Sequence, residues 1–219
     1  MVRPARRDPH AAAPPLAPDL PPDAEPLPLD ADALRDARGS SLVGARVAGA
    51  DLGGARLPGL RIVDALVEHC NLANLDARGA SLVRVELRGC RLTGSAWREG
   101  HLTDVLLKDC RIDIAAFTSA RLERVTFDAC RLEQSDLQDI DGAAVRFLGC
   151  DLSECDLTDA RFRRSELRGC ELRGLHGVER LRGVGVAWGD LLELAPALAG
   201  ALGIRLLDAG DADAGAGAA

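Results

Sequence analysis

The sequence predicts an all-β solenoid, a four-sided β-helix of about seven coils with a short helical cap at its C-terminal end. Three observations carry that prediction. From Ser40 to Gly174 the chain divides into 27 consecutive pentapeptides with no insertion or deletion. Their third position is Leu, Ile, Val, Phe or Trp in 25 of the 27, with Ala77 and Gly142 the exceptions. Cys70, Cys90, Cys110, Cys130, Cys150 and Cys170 recur at a spacing of 20, and Val85, Val105, Val125 and Val145 form a second series at the same spacing.

A period of five fits neither an amphipathic helix nor a long strand. The first position is small, with Ala 8 times, Cys 7, Val 4 and Ser 4. First and third positions hold no charge, while the remaining positions hold all 40 charges of the segment. Two inward residues and then a turn make one side of a coil, so twenty residues make four sides and each series is one vertical column. Stacked at ~4.8 Å, the coils form a rod about 32 Å tall. Nearest-neighbour stacking stabilises such a rod, and both ends need caps. Where the third position shrinks, at Ala77 and Gly142, the first grows to Leu75 and Ile140. Constant inward volume is what a dense interior requires.

Upstream, nine of the eleven Pro fall within the first 28 residues. Residues 1–39 are therefore expected to be a disordered Pro/Ala-rich tail, with a turn or two of helix over 30–38 capped by Asp30 or Asp32. Residues 175–207 are expected to cap the rod. Within them 178–186 make a last, imperfect coil, and Asp190 caps a helix with Leu191, Leu194, Ala195, Leu198 and Leu202 on one face. Pro196 predicts a kink or two short helices, Gly203 a stop, and 204–207 a returning strand. The low-complexity stretch 208–219 is expected to be disordered.

Composition narrows the function. The chain has 219 residues and a net charge of −7, which argues against direct nucleic-acid binding. Aromatics are 3% with no Tyr, so small and aliphatic side chains must fill the core. There is no apolar run long enough to span a membrane and no credible secretory leader. Seven Cys, an odd number, then predict reduced thiols and a cytoplasmic location. The richness in Ala, Arg, Gly and Asp points to a GC-rich bacterial genome.

Ala50-Asp51-Leu52, Cys70-Asn71-Leu72, Cys150-Asp151-Leu152 and Cys155-Asp156-Leu157 are close copies of A-[D/N]-L-x-x. Residues 40–174 thus resemble the pentapeptide-repeat proteins, and the resemblance implies a right-handed quadrilateral β-helix. The strand–helix–strand ending is similar to that of a mycobacterial fluoroquinolone-resistance member of the family. There the ending makes a head-to-head dimer, and the acidic rod imitates duplex DNA to inhibit gyrase. For this chain the resemblance implies a homodimer through Leu191, Leu194, Leu198 and Leu202, and DNA gyrase as a partner. The same leucines would serve equally to seal the last coil.

No residues assemble into a recognisable catalytic motif, and neither an enzyme nor a cofactor is expected. The cysteine column is expected to be small apolar filler, because parallel inward thiols are poorly disposed for bridging. His10, His69, His101 and His176 are scattered, so no metal site is expected. Charge is the remaining lead. The repeats carry 19 basic and 21 acidic residues, near neutrality, yet Asp136, Asp139, Asp156 and Asp159 fall on one side. Glu133, Asp151 and Glu154 fall on the adjoining side, giving an acidic edge near the C-terminal end. Beyond it Arg161, Arg163, Arg164, Arg168 and Arg173 form a basic collar. Two readings follow: a rigid scaffold recognising an unknown protein, or a DNA-mimic regulator of gyrase.

Overall fold

The computed structural model describes residues 13–21, 25–27 and 41–205. Parallel strands run in order: β1 (Pro26–Leu27), β2 (Ser41–Ala48), β3 (Arg61–Glu68), β4 (Ser81–Arg88), β5 (His101–Lys108) and β6 (Arg121–Asp128). There follow β7 (Asp141–Ala143), β8 (Arg146–Leu148), β9 (Arg161–Arg163), β10 (Glu166–Arg168) and β11 (Gly185–Val186). The register is twenty throughout the repeats, as in Leu42 to Ile62, Ile62 to Leu82 and Phe127 to Phe147. The chain is therefore the expected solenoid.

Sides one and two, starting at residues such as 60 and 65, are carried by the strands. Sides three and four, starting at 70 and 75, keep only single bridges between coils, such as Asn71 to Arg91 and Asp76 to Ala96. Their corners close differently. Ala55 N donates to Leu52 O (3.1 Å) and Ser95 N to Leu92 O (3.0 Å), with Gly54 and Gly94 at positive φ. That is the bond and the backbone of a type II turn. An Asp or Asn at the second position reinforces the turn. Asp51 Oδ1 accepts from Gly53 N (2.9 Å), Asn71 Oδ1 from Ala73 N (3.2 Å) and Asp156 Oδ1 from Thr158 N (2.8 Å). These side-chain turns give the A-[D/N]-L-x-x signature a local physical cause.

The last residue of each pentapeptide turns a corner in the left-handed region. Ile114 does so at φ 59 with 60% of its surface exposed. A β-branched residue is badly suited to that conformation. Ile114→Gly is expected to stabilise the protein by about 1 kcal/mol, the left-handed cost less the entropy of glycine. The urea midpoint measures it.

The interior is one continuous column set. Phe127 and Phe147 stack at 5.0 Å and 6°, flanked edge-on by Phe117 (6.2 Å) and Phe162 (6.4 Å). The volume exchange seen within a pentapeptide also runs between coils. Ala77 lies one register step below the buried Trp97. A Cβ on Gly142 would sit 2.8 Å from Phe162 Cδ1, so the missing side chain is the space that Phe162 occupies.

At the C-terminal end the last coil is one residue short, because β11 pairs Gly185 with Glu166 and Val186 with Leu167. A 3-10 turn (Val178–Leu181) precedes it, entered through Gly177 at φ 73. Helix α1 (Trp188–Ala201) then closes the rod. Two expectations are corrected here. Asp190 is not the cap: it lies in the first turn, buried, and its Oδ2 accepts from Gly169 N (2.8 Å). Pro196 does not divide the helix in two: α1 runs through it, with the proline exposed. Gly203 follows at φ 71 as expected. Ile204 and Arg205 form no strand, and Leu206 and Leu207 lie outside the described residues. So do the helical turns expected over 30–38 and the tail 208–219.

The Pro-rich stretch differs from expectation over residues 13–21. It lies against side two, where Leu16 N donates to Asp104 Oδ1 (3.1 Å) and Asp19 N to Asp64 Oδ1 (3.2 Å). Strand β1 then pairs Pro26 with Arg46 and Leu27 with Val47, twenty residues below the first coil. Composition alone misses this, because the apolar surface being covered belongs to the rod.

Candidate interaction surfaces

The cysteine column is buried, with every thiol free. Each thiol donates to a carbonyl 23 residues earlier, as Cys90 Sγ does to Val67 O (3.4 Å) and Cys155 Sγ to Leu132 O (3.0 Å). Ser135 Oγ makes the same bond to Ile112 O (2.9 Å). Small size and a weak donor therefore suit this position together, a role that apolar filling alone leaves out. Burial pushes the Cys155 thiol up to about 12 and the Cys170 thiol up to about 11. We expect none of the seven thiols to react with Ellman's reagent at about pH 8 in the folded protein, and all of them in denaturant.

The seven carboxylates of the acidic edge stack as the register requires, with Asp136 bridged to Asp156 and Arg131 to Asp151. Their surroundings differ. Glu133 pairs with Arg131, Asp151 lies 4.0 Å from Arg131, and Asp159 accepts from Arg180 (2.7 Å). The other four meet neutral donors among the described residues. Asp136 accepts from Thr118 Oγ1 (2.6 Å), Asp139 from Ser119 Oγ (2.9 Å), Glu154 from Gln134 Nε2 (2.6 Å) and Asp156 from Gln138 Nε2 (2.5 Å). Burial pushes the Asp156 carboxyl up, but bonds from Thr158 and Gln138 outweigh it and leave the group below its ordinary range. Asp136, Asp151 and Asp156 also close turns through Gln138, Ser153 and Thr158. Part of the edge is thus turn chemistry. In the collar, Arg163 pairs with Asp141, Arg168 with Glu166 and Arg173 with Glu171.

A second charged feature was not singled out by composition. At the corner between sides one and two, Asp64, Arg84, Asp104 and Arg124 alternate coil by coil. Arg84 Nε and Nη2 donate to Asp64 (2.5 and 2.6 Å), and Arg124 Nε and Nη2 donate to Asp104 (2.6 and 2.8 Å). The Arg124 guanidinium holds the Asp104 carboxyl below its ordinary range against the opposing effect of burial. The folded group thus releases its proton more readily than the unfolded one. Its stabilisation is present above about pH 4 and lost as pH falls through the folded value. Asp104→Asn is expected to flatten the acid limb of a melting-temperature profile between about pH 2 and 6.

Of the leucines expected to form a dimer or sealing face, Leu194 is buried, and Leu191 and Leu198 are half-buried over Leu181, Val184 and Val186. These three face the rod end. Leu202, the C-cap residue, lines the same crevice but is 74% exposed. Trp188 (74% exposed), Leu192 (59%) and the exposed Ala195 follow helical spacing on the outer side of α1.

Among the described residues no group of three His, Cys, Asp or Glu could hold a metal, and no helix is long and apolar enough to cross a membrane. A sequence profile described as the pentapeptide repeat region matches residues 80–157. Another, described as pentapeptide repeats in eight copies, matches 61–95 and 143–174. No curated protein sequence matches the chain. Among solved structures, trypsin-treated QnrB1, a plasmid-mediated fluoroquinolone resistance protein, is 19% identical at a TM-score of 0.36, with 78% of this chain and 91% of that one covered. HetL, a pentapeptide repeat protein involved in heterocyst differentiation regulation in the cyanobacterium Nostoc, is 18% identical at a TM-score of 0.25, covering 71% and 90%. A thylakoid-lumen pentapeptide repeat protein of Arabidopsis thaliana is 20% identical at 0.28, covering 63% and 77%.

Proposed function

Because the chain belongs to the pentapeptide-repeat family, we propose that it acts without chemistry or cofactor, as a rigid cytoplasmic scaffold that binds a protein partner. The observation that carries this reading is the division of labour in each pentapeptide. Inward residues are committed to stacking, and the outward residues form flat, ordered faces of fixed spacing. The proposed assembly is a homodimer through the outer stripe of α1, since Leu191, Leu194 and Leu198 are occupied by the rod end. Trp188→Glu with Leu192→Glu is expected to convert a dimer to a monomer in sedimentation at tens of micromolar. A parent chain that sediments as a monomer there sinks the assembly.

The acidic edge favours a second reading, a DNA-mimic regulator of gyrase, because four of its carboxylates meet no arginine among the described residues. Its test is a gyrase supercoiling assay with the parent and an Asp136/Asp139/Asp156/Asp159→Asn variant. Asparagine preserves the turns, as Asn71 does in the second coil, so the variant removes charge and little else. Inhibition by the parent alone supports mimicry. No effect up to tens of micromolar removes it and leaves the scaffold, whose partner a pull-down would identify.

A further inference from the structure

Side two carries an unusual outward pattern. Leu66 and Leu106 point away from the core, two coils apart, and both are only half-buried. Beside them, Asp64 and Asp104 at the corner repeat at the same interval of two coils. Two coils at ~4.8 Å span about 9.6 Å.

The segment lying on this side has a matching period. Residues 13–21 read APPLAPDLP, with Pro15, Pro18 and Pro21 at every third position. An extended proline-rich chain has three residues per turn and rises ~3.1 Å per residue, so its repeat is about 9.3 Å. The contacts follow that coincidence: the amides of Leu16 and Asp19, three residues apart, reach Asp104 and Asp64, two coils apart. Each amide directly follows a proline, so the prolines are free to face the rod while the next residue donates. Pro15, Pro18 and Leu20 are half-buried, whereas Leu16 and Asp19 are exposed. Pro18 and Leu20 share a crevice with Leu66, Arg46 and Glu86. The carboxylates that receive the amides are themselves clamped by Arg84 and Arg124, which fixes them in place before any ligand arrives.

We infer that side two is a recognition track for an extended proline-rich polypeptide of the pattern P-x-x-P, and that residues 13–21 occupy it in cis. A partner bearing such a segment binds when the chain's own segment is displaced. The rod reads the ligand by period, with one proline and one amide for every two coils. This names a partner class for the scaffold and rests on that reading, but it depends on neither the acidic edge nor the dimer.

The test uses the full-length chain. Pro15→Gly, Pro18→Gly and Leu20→Ser together release the segment without touching a residue of the rod. The probe is a fluorescein-labelled synthetic peptide of residues 13–21, read by anisotropy, beside a scrambled peptide of the same composition. The released variant is expected to bind the peptide with a Kd on the order of tens of micromolar, and the parent at least about tenfold more weakly. Leu66→Ser with Leu106→Ser in the released variant is expected to weaken binding by about tenfold or more while the rod keeps its circular dichroism. Equal binding to parent and released variant, binding to neither, or equal binding of the scrambled peptide overturns the inference. Protein partners recovered by pull-down that ignore side-two substitutions would sink the track and leave the scaffold standing.

Discussion

Phe127→Ala is expected to cost the rod about 3–5 kcal/mol, as truncation of a fully buried aromatic does. Phe127 has no exposed surface, stacks on Phe147 and meets Phe117 edge-on. Its column has no lateral freedom, because each neighbour is pinned by backbone bonds to the coils above and below. The void left behind therefore cannot collapse, which places the cost toward the upper part of that range. Set against the usual ~5–15 kcal/mol of net stability, the loss would lower the urea midpoint by about a quarter or more. A loss under about 1 kcal/mol would mean that the column is not packed as described.

Gly177→Ala is expected to cost about 2–4 kcal/mol and to act on one end of the molecule. Gly177 has φ 73, and a Cβ there would lie 2.8 Å from both the Leu157 carbonyl carbon and the Thr158 nitrogen. Both are backbone atoms of the coil beneath, so neither can swing aside. The comparison is Gly54→Ala, where φ is 68 but a Cβ meets nothing within 4 Å. That variant should show the left-handed cost alone, about 1–2 kcal/mol. Hydrogen exchange separates the two cases further. Gly177→Ala should accelerate exchange over 178–202, where α1 loses its seat, and leave the central coils protected. Uniform acceleration along the rod would contradict that assignment.

Much of this architecture was legible in the chain because its inward residues carry the period. Leu, Phe and Trp at the third position of each pentapeptide and Cys at intervals of twenty specify sides, coils and columns without further information. What stayed hidden depends on geometry that the period does not encode. The difference between strand sides and turn sides lies in which amides fold back, as Ala55 does on Leu52. The docking of residues 13–21, with Pro15, Pro18 and Leu20 half-buried, was unreadable from their own composition, since the rod supplies the surface they meet, Leu66 among it. Spacing alone does not set apart the exposed Trp188 and Leu192, because Leu191 and Leu192 differ by only about 100° and both faces of α1 are apolar. Nothing in the spacing of the acidic edge revealed that Asp136, Asp151 and Asp156 also close turns.

The vertical columns have a consequence for how this sequence can drift. Gly142 is tolerated because Phe162 fills its space from the coil above. Either residue changed alone leaves a hole or a clash, whereas an exchange of bulk between them keeps the volume. Substitutions in the core should accordingly be coupled most strongly at separations of twenty, and nearly additive at separations of forty or more. Such a chain diversifies by paired replacements that climb the rod one coil at a time, while its outward positions change almost without memory of one another.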